Sequence, residues 1–285
     1  MYNVSHKIYG YIDMKKNISS KSREVLSYFN QRNIKCFDFE EALNALPESS
    51  HTALKETLRI MVRRGLLMRL KRGLYYIVPY EQDSESFMPD WHLISEHLVK
   101  NGEHYIGYYS ALQIHNLITQ PSLKQQIVVS KQVRPSTLDI KGVQFQFVYH
   151  NTKHFFGAKK IWIDSYHKVS CSDLEKTLVD CLFKPDYAGG IVEIARAIYV
   201  ARDEINYFRL LEYIEKFKSQ AVIKRLGFLI ETLGLKTEIT NILQEKKTPS
   251  YVLLDTELPK TGKTIDRWSI QQNLETETIR AAIYT

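Results

Sequence analysis

The chain has 285 residues, of which 44% are hydrophobic and 25% charged, with a formal net charge of +7. This length allows a large core and predicts two domains, since one domain usually takes about 100–200 residues. Charges interrupt apolar runs such as GIVEIARAIYVA well short of the ~18–20 residues that a membrane span needs, which argues against a membrane protein.

The first residues, MYNVSHKIYGYIDMKK, lack the apolar segment of a secretory signal. Three cysteines are too few and too irregular for a disulfide framework. We therefore expect a soluble cytoplasmic protein. His167, Cys171 and Cys181 could in principle surround a metal, but no C-x-x-C pair is present, so we expect no metal and no cofactor.

The positive charge is concentrated near the amino end. Residues 1–80 contain fourteen Lys and Arg against seven Asp and Glu, whereas the remaining residues contain 25 of each. The whole excess of +7 therefore belongs to the first 80 residues. A solvated basic surface without function is one interpretation. A polyanion-binding module attached to a neutral one is the interpretation that such segregation favours.

The first predicted element is a helix over about residues 20–32, which a serine cluster can cap and which has apolar residues at helical spacing. The segment FDFEEALNALP then predicts a short helix, because Asp38 and Glu41 stand in capping-box spacing. Next, ESSHTALKETLRIMVRRG predicts a longer helix. Its apolar stripe includes Leu54 and Leu58, and Gly65 suits a left-handed stop at its end.

The stretch VRRGLLMRLKRGLYYIVP follows and predicts a basic hairpin, in which KRG joins two short strands. Gly73 fits a turn position with positive φ, and Tyr75 and Ile77 are expected to pack inward. The order of helix, short helix, turn, longer helix and hairpin predicts a winged helix-turn-helix domain over residues 1–80.

In such a domain the third helix enters the DNA major groove and the hairpin lies along the phosphates. The first turn of the helix would face base edges, and the hairpin tip would bind phosphate. The predicted DNA-binding residues are Ser50, His51, Thr52, Lys55, Arg59 and Arg63 of the helix, and Arg69, Lys71 and Arg72 of the hairpin.

The polar, acidic segment around residues 81–90 is bounded by prolines and predicts a linker. Residues 91–285 predict an α+β domain. It contains the strand segments QQIVVSK, GVQFQFVYH and KKIWIDS, a helix opened by Ser172 and Glu175 in capping-box spacing, and three further amphipathic helices. The predicted fold class is thus α+β: a winged helix-turn-helix followed by a mixed α/β domain with a small sheet and several helices.

Enzymatic motifs are weak. The TGKT of residues 261–264 lacks the glycine that a phosphate-binding loop needs five positions earlier, where Glu257 stands. Asp173, Glu175 and Asp180 lie together in sequence and leave open a metal-dependent enzyme acting on nucleic acid, although no acid pair lies on a predicted strand. We predict no catalytic residue and a protein that is not an enzyme.

Several segments resemble AbiEi-type antitoxins and related regulators. These are LRIMVRRGLLMRLKRGLYYI, YIGYYSALQIHNL, VSCSDLEKTLVDCLFKPDYAGGIVEIARAI and the late pair Arg267-Trp268, so that the likeness covers most of the chain from about residue 20. The resemblance implies the antitoxin of a bacterial type IV toxin–antitoxin system. Such an antitoxin represses its own promoter by binding double-stranded DNA at inverted repeats.

The resemblance also implies a nucleotidyltransferase-like toxin that need not bind the antitoxin directly, and a DNA-contact role for Lys55, Arg59, Arg63, Arg69, Lys71 and Arg72. It further implies DNA contacts in the C-terminal part, where this chain has no net positive charge after residue 80 and only a local patch around Lys159 and Lys160. The expected function is sequence-specific transcriptional repression. A protein-interaction module built on a winged helix is the other alternative.

Overall fold

The structure, a computed structural model, describes residues 16–100, 102–118, 120 and 122–284. The chain divides into two compact units between Lys100 and Asn101. Helices and sheets occur in both, which confirms the predicted α+β class. The first fifteen residues, on which the expectation about a secretory signal depends, lie outside the described part.

The first unit combines short helices with one antiparallel sheet. In chain order its elements are α1 (Ser20–Asn30), β1 (Cys36–Asp38), α2 (Phe39–Ala45), α3 (His51–Arg63), β2 (Leu67–Lys71), β3 (Leu74–Ile77) and α4 (Trp91–Leu98). The strands are ordered β1-β3-β2. Side chains of α1, α2, α3 and the sheet share one core, in which the rings of Phe29 and Phe37 stack with centroids 4.0 Å apart.

Two helix ends form as the sequence predicted. Asp38 accepts the backbone N–H of Glu41 at 2.9 Å, and the Glu41 carboxylate accepts the N–H of Asp38 at 2.7 Å, which confirms the capping box. At the end of α3, Gly65 has φ +72° and the N–H of Leu66 bonds to the carbonyl of Met61 at 3.0 Å. This is the left-handed stop that the sequence predicted.

The segment predicted as a linker packs against the first unit. The ammonium group of Lys16, only 3% exposed, donates hydrogen bonds to the carbonyl oxygens of Pro79 and Tyr80 at 2.7 Å and of Gln82 at 2.5 Å. Farther along, the ring of Phe87 lies 5.8 Å from that of Tyr76. Because a buried ammonium group binds its backbone carbonyl oxygens, the start of this segment is fixed and is not a flexible linker.

The helix α4 also belongs to the first unit, although the sequence interpretation placed it in the second. Asp90 caps it by accepting the N–H of Leu93 at 3.0 Å, and Ile94 is fully buried. α4 packs on β1, and just beyond it Lys100 forms an ion pair with Asp38 at 2.8 Å. The boundary therefore falls ten residues beyond the predicted start of the second domain.

The second unit contains a six-stranded mixed sheet. In chain order its strands are β4 (His104–Ile106), β5 (Lys124–Val129), β6 (Thr137–Ile140), β7 (Val143–Tyr149), β8 (Ala158–Trp162) and β9 (Lys168–Ser172). They are ordered β6-β7-β5-β4-β9-β8, with β5–β7 and β4–β9 parallel. The central strand β5 is buried over Gln125 to Val129, as expected where both faces of a sheet are covered.

The remaining elements are mostly helical. They are α5 (Tyr108–Ile114), α6 (Leu174–Phe183), α7 (Gly190–Val200), α8 (Tyr207–Phe217), α9 (Gln220–Thr232), α10 (Ile239–Lys246), β10 (Val252–Leu253), β11 (Lys263–Ile265), β12 (Ile270–Gln272) and α11 (Thr276–Ala281). The last three strands form a small sheet in the order β10-β12-β11.

The start of α6 corrects one prediction. Asp173, and not Ser172, is the N-cap, and its carboxylate accepts the N–H of Lys176 at 2.9 Å. The hydroxyl of Ser172 instead shares a hydrogen bond with that of Thr177 at 2.7 Å. The predicted capping box of Ser172 and Glu175 is therefore wrong by one residue.

The Arg267-Trp268 pair has a structural role. Trp268 is 1% exposed, and its indole N–H donates to the carboxylate of Glu231 at 2.7 Å, which also pairs with Arg267. The indole lies directly on Gly227 of α9. A Cβ added at Gly227 would lie 2.0 Å from the nearest ring carbon of Trp268.

We expect Gly227→Ala to lower the free energy of unfolding by about 3 kcal/mol, because the added methyl group must displace a packed indole. In an open helix the same change would raise stability by about 0.5–1 kcal/mol. Urea denaturation distinguishes these two outcomes by the sign of the change in unfolding free energy. A variant as stable as the parent would show that Trp268 does not press on this helix.

Candidate nucleic-acid interface

Helix α3 separates an apolar face from a polar one. Leu54, Leu58 and Met61 are fully buried in the core of the first unit. The exposed side chains of α3 are His51, Thr52, Lys55, Glu56, Arg59 and Arg63. Five of the residues predicted to contact DNA therefore lie on the solvent side of one rigid helix.

The first turn of α3 is fixed by its neighbours. The Ser50 hydroxyl accepts the N–H of Ala53 at 3.2 Å, so it caps the helix and can still donate its O–H hydrogen to another partner. The ring of Phe39 in α2 lies 5.5 Å from the imidazole of His51 and 5.8 Å from the ammonium of Lys55. α2 thereby helps to position the residues predicted to face bases.

The hairpin presents one arginine from β2 and one from its tip. Arg72 and Gly73 join β2 to β3, and Gly73 has φ +75°, which confirms the predicted glycine turn. The strand register shifts between Arg69 and Lys71, a β-bulge that bends the strand locally. Arg69 and Arg72 are exposed, whereas Tyr75 is only half-buried and not fully inward as predicted.

A groove of about 880 Å³ runs between α3 and the hairpin. Its cationic lining residues are Lys55, Arg59, Arg63, Arg69 and Arg72, and its other walls include Phe39, Val62 and Tyr75. None of its described lining residues is acidic. Because like charges converge on a concave surface, the potential in the groove is positive and favours a polyanion.

Among the residues that the structure describes, one carboxylate forms an ion pair with this set. Glu56 pairs with Arg59 at 2.7 Å, with the side chains 51% and 63% exposed. This hydrogen bond lowers the pKa of Glu56 and raises that of Arg59. An exposed pair three residues apart on a helix is weak. A phosphate oxygen can therefore replace Glu56 at the arginine.

Lys71, predicted to bind phosphate at the hairpin tip, is engaged elsewhere. Its ammonium donates to the carbonyl of Leu98 at 2.7 Å, at the end of α4, where a cation complements the helix dipole. Burial lowers the pKa of Lys71, and nearby Lys100 adds to the effect. Lys71 is also not among the residues that line the groove.

We expect Lys71→Gln to act on stability more than on polyanion binding. Losing the charged bond to Leu98 should cost about 1 kcal/mol of unfolding free energy. Heparin or duplex affinity should change less than threefold. Thermal melts and a parallel binding titration measure both quantities. A large loss of affinity with unchanged stability would show that Lys71 contacts the bound polyanion.

The three acids considered for a metal site serve different partners. Asp173 caps α6. Glu175 accepts the N–H of Asn206 at 2.8 Å. Asp180 accepts the hydroxyl of Tyr105 at 2.9 Å. Within the described ranges, no three His, Cys, Asp or Glu side chains gather so that they could hold a metal ion. The geometry thus gives no support to the metal-dependent alternative.

A buried polar network in the second unit is centred on Asp180. Lys176 forms an ion pair with Asp180 one turn later, both side chains are fully buried, and Lys176 also donates to the Tyr105 hydroxyl at 2.9 Å. Desolvation lowers the pKa of Lys176 and raises that of Asp180. Nearby, His150 is 2.5 Å from the Tyr108 hydroxyl, and burial lowers its pKa to about 2, so it is neutral.

No family model and no curated protein matches the chain by sequence. Among solved structures, the fold is similar to that of the Rv2827c protein from Mycobacterium tuberculosis, with a TM-score of 0.68. The match covers 95% of this chain and 97% of that chain at 14% identity, so it shows a shared α+β fold alone. In the described residues, every helix is too short or too polar to pass through a bilayer.

Proposed function

We propose that the first unit is a winged helix-turn-helix and that the chain is a sequence-specific, DNA-binding transcriptional repressor. The observation that carries this proposal is the groove between α3 and the hairpin, whose described lining residues include five cations and no acid. Duplex DNA carries about one negative charge per 1.7 Å of its axis, so such a surface releases condensed counterions on binding. The element order, with α2 and α3 as the helix-turn-helix pair, supports the assignment.

In this proposal α3 lies in the major groove. Its first turn, with His51, Thr52 and Lys55, faces base edges, and the Ser50 hydroxyl donates nearby. The residues that bind phosphate are Arg59, Arg63, Arg69 and Arg72. Lys71 is left out because its ammonium already binds Leu98.

We further propose, from the resemblance to AbiEi-type antitoxins, that the repressor is the autoregulating antitoxin of a type IV toxin–antitoxin system in the bacterial cytoplasm. Its DNA partner would be inverted repeats in its own promoter. Its toxin would be a nucleotidyltransferase-like protein with no need for direct contact. Expression of such a toxin from the adjacent reading frame should arrest growth, and co-expression of this chain should restore it.

The DNA-binding proposal is tested by fluorescence anisotropy with the upstream duplex of the chain's own gene and with a shuffled duplex. At about 0.15 M salt we expect the upstream duplex to bind at least ~1,000-fold more tightly. Thr52→Ala should change the preference among base substitutions in the site. Equal affinity for both duplexes would contradict sequence recognition. No binding to either would favour the protein-interaction module.

A further inference from the structure

The β8–β9 hairpin lies at the edge of the six-stranded sheet, because β8 is its last strand. Between residues 157 and 170 there are three lysines and one acid, Asp164. The residues of β8 are exposed except for Ile161, which is half-buried. The hairpin is therefore a basic surface in the second unit, and the groove of the first unit does not include it.

One face of this hairpin combines an aromatic ring with cations. Trp162 pairs with Lys168 across the strands, and Lys160 lies two residues before Trp162, so all three point to the same face. The ammonium of Lys168 is 4.2 Å from the centroid of the Trp162 ring. With that ammonium in place, Trp162 is still 58% exposed. An indole this exposed has most of its surface open to a ligand.

The turn adds a second aromatic ring on a rigid support. One oxygen of the Asp164 carboxylate accepts the N–H groups of Tyr166 and His167, each at 2.7 Å, and the other lies 2.6 Å from His167 Nδ1. Tyr166 is 70% exposed. The hydrogen bonds at Asp164 outweigh its desolvation and lower its pKa, so the carboxylate is ionised but directed into the turn. The Asp164 carboxylate therefore does not neutralise the lysines on the face of Trp162.

We propose that the hairpin face formed by Lys160, Trp162 and Lys168, with Tyr166 at its turn, binds single-stranded nucleic acid. Exposed aromatic rings stack on unpaired bases, and lysine ammonium groups bind the phosphates between them. Displaced from the indole by a base, Lys168 would lie next to the backbone of the same strand. The site does not depend on the function proposed for the first unit.

The exposed indole favours a single strand over a duplex. In a duplex the bases stack on each other and show only their edges in the grooves, so their planes are closed to Trp162. A peptide adding to the free edge of β8 is disfavoured by charge. Lysines on an edge strand are a common protection against such pairing.

The test uses the full chain and ten-nucleotide oligouridylate RNA, with oligothymidylate DNA as the second arm. Stacking should quench tryptophan fluorescence. Trp268 is buried and Trp91 half-buried, so the quenching reports Trp162. Trp162→Leu should reduce affinity for the labelled oligonucleotide by on the order of tenfold or more, and Trp162→Phe by much less. Comparison of the two arms shows whether RNA is preferred.

Arg69→Gln with Arg72→Gln is the comparison variant, since it should weaken duplex binding far more than oligouridylate binding. Circular dichroism verifies that each variant is folded. Unchanged oligonucleotide affinity in Trp162→Leu would overturn the proposal. So would loss of single-strand binding in the arginine variant alone. Equal weakening of duplex and single strand by Trp162→Leu would make the hairpin a duplex contact. Self-association that Trp162→Leu abolishes, without oligonucleotide binding, would make it a contact between copies.

Discussion

Replacing both Arg69 and Arg72 by glutamine should weaken duplex binding on the order of 50-fold at 0.1 M salt. Each phosphate contact contributes about 0.9 to the slope of log affinity against log salt, so the slope should flatten by about 1.8. Both arginines line the groove, and neither has a carboxylate among the lining residues. Anisotropy titrations between about 50 and 200 mM salt measure affinity and slope together.

The matched control removes the same charge from another surface of the first unit. Arg23 and Lys35 line a separate groove along α1. Replacing both by glutamine should change duplex affinity less than threefold and leave the salt slope within error. Equal weakening by the two double variants would mean that overall charge, and not this groove, determines binding.

Replacing Lys176 by methionine should lower the unfolding free energy by about 3–5 kcal/mol, because Asp180 would keep a buried charge without its partner. Lys176 and Asp180 are both fully buried. The Tyr105 hydroxyl would be the remaining hydrogen-bond donor to the carboxylate. Urea unfolding of the full chain, followed by circular dichroism, measures the loss.

Asp180→Asn in the Lys176→Met background is the matched rescue. The amide oxygen keeps an acceptor for Tyr105, and the unpaired charge is gone, so the double variant should recover more than half of the loss. Duplex binding should be unaffected in both variants, since the groove lies in the first unit. Strictly additive losses would show that the two charges do not stabilise each other.

The first unit could be predicted well because its sequence restricts the backbone locally. Capping by Asp38, the glycine stop at Gly65 and the apolar stripe of α3 each depend on residues within a few positions. The exposure of the basic residues of α3 could also be predicted, because a helix with one buried face must expose the other. Hence most of the candidate groove was foreseen from spacing alone.

The features of the first unit that the sequence did not predict depend on contacts between segments far apart in sequence. β1 has three residues, too few to show alternation, and forms because Phe37 packs on Phe29 and its backbone pairs with β3. The packing of α4 on β1 likewise joins distant segments, as does the bond between Lys71 and Leu98, which are 27 residues apart. Local sequence patterns carry no information about such pairings.

The second unit was predicted less completely. Helices α6 to α9 were recognised, but α10 and α11 were not. The strands β4, β6 and β9 are short, and only their neighbours in the sheet define them. Asp180 lies on the apolar face of its helix, from which a semi-buried, paired carboxylate could be expected. Its neighbour Tyr105 could not be, because Tyr105 comes from a strand 71 residues before Lys176.

Hydrogen–deuterium exchange of the full chain, with and without its upstream duplex, tests the central claim most directly. Bound duplex should slow exchange in peptides covering α3 and the β2–β3 hairpin, residues 50–77, and leave α1 at its free rate. Protection restricted to the second unit, or absent from residues 50–77 at saturating duplex, would contradict a DNA interface in the groove.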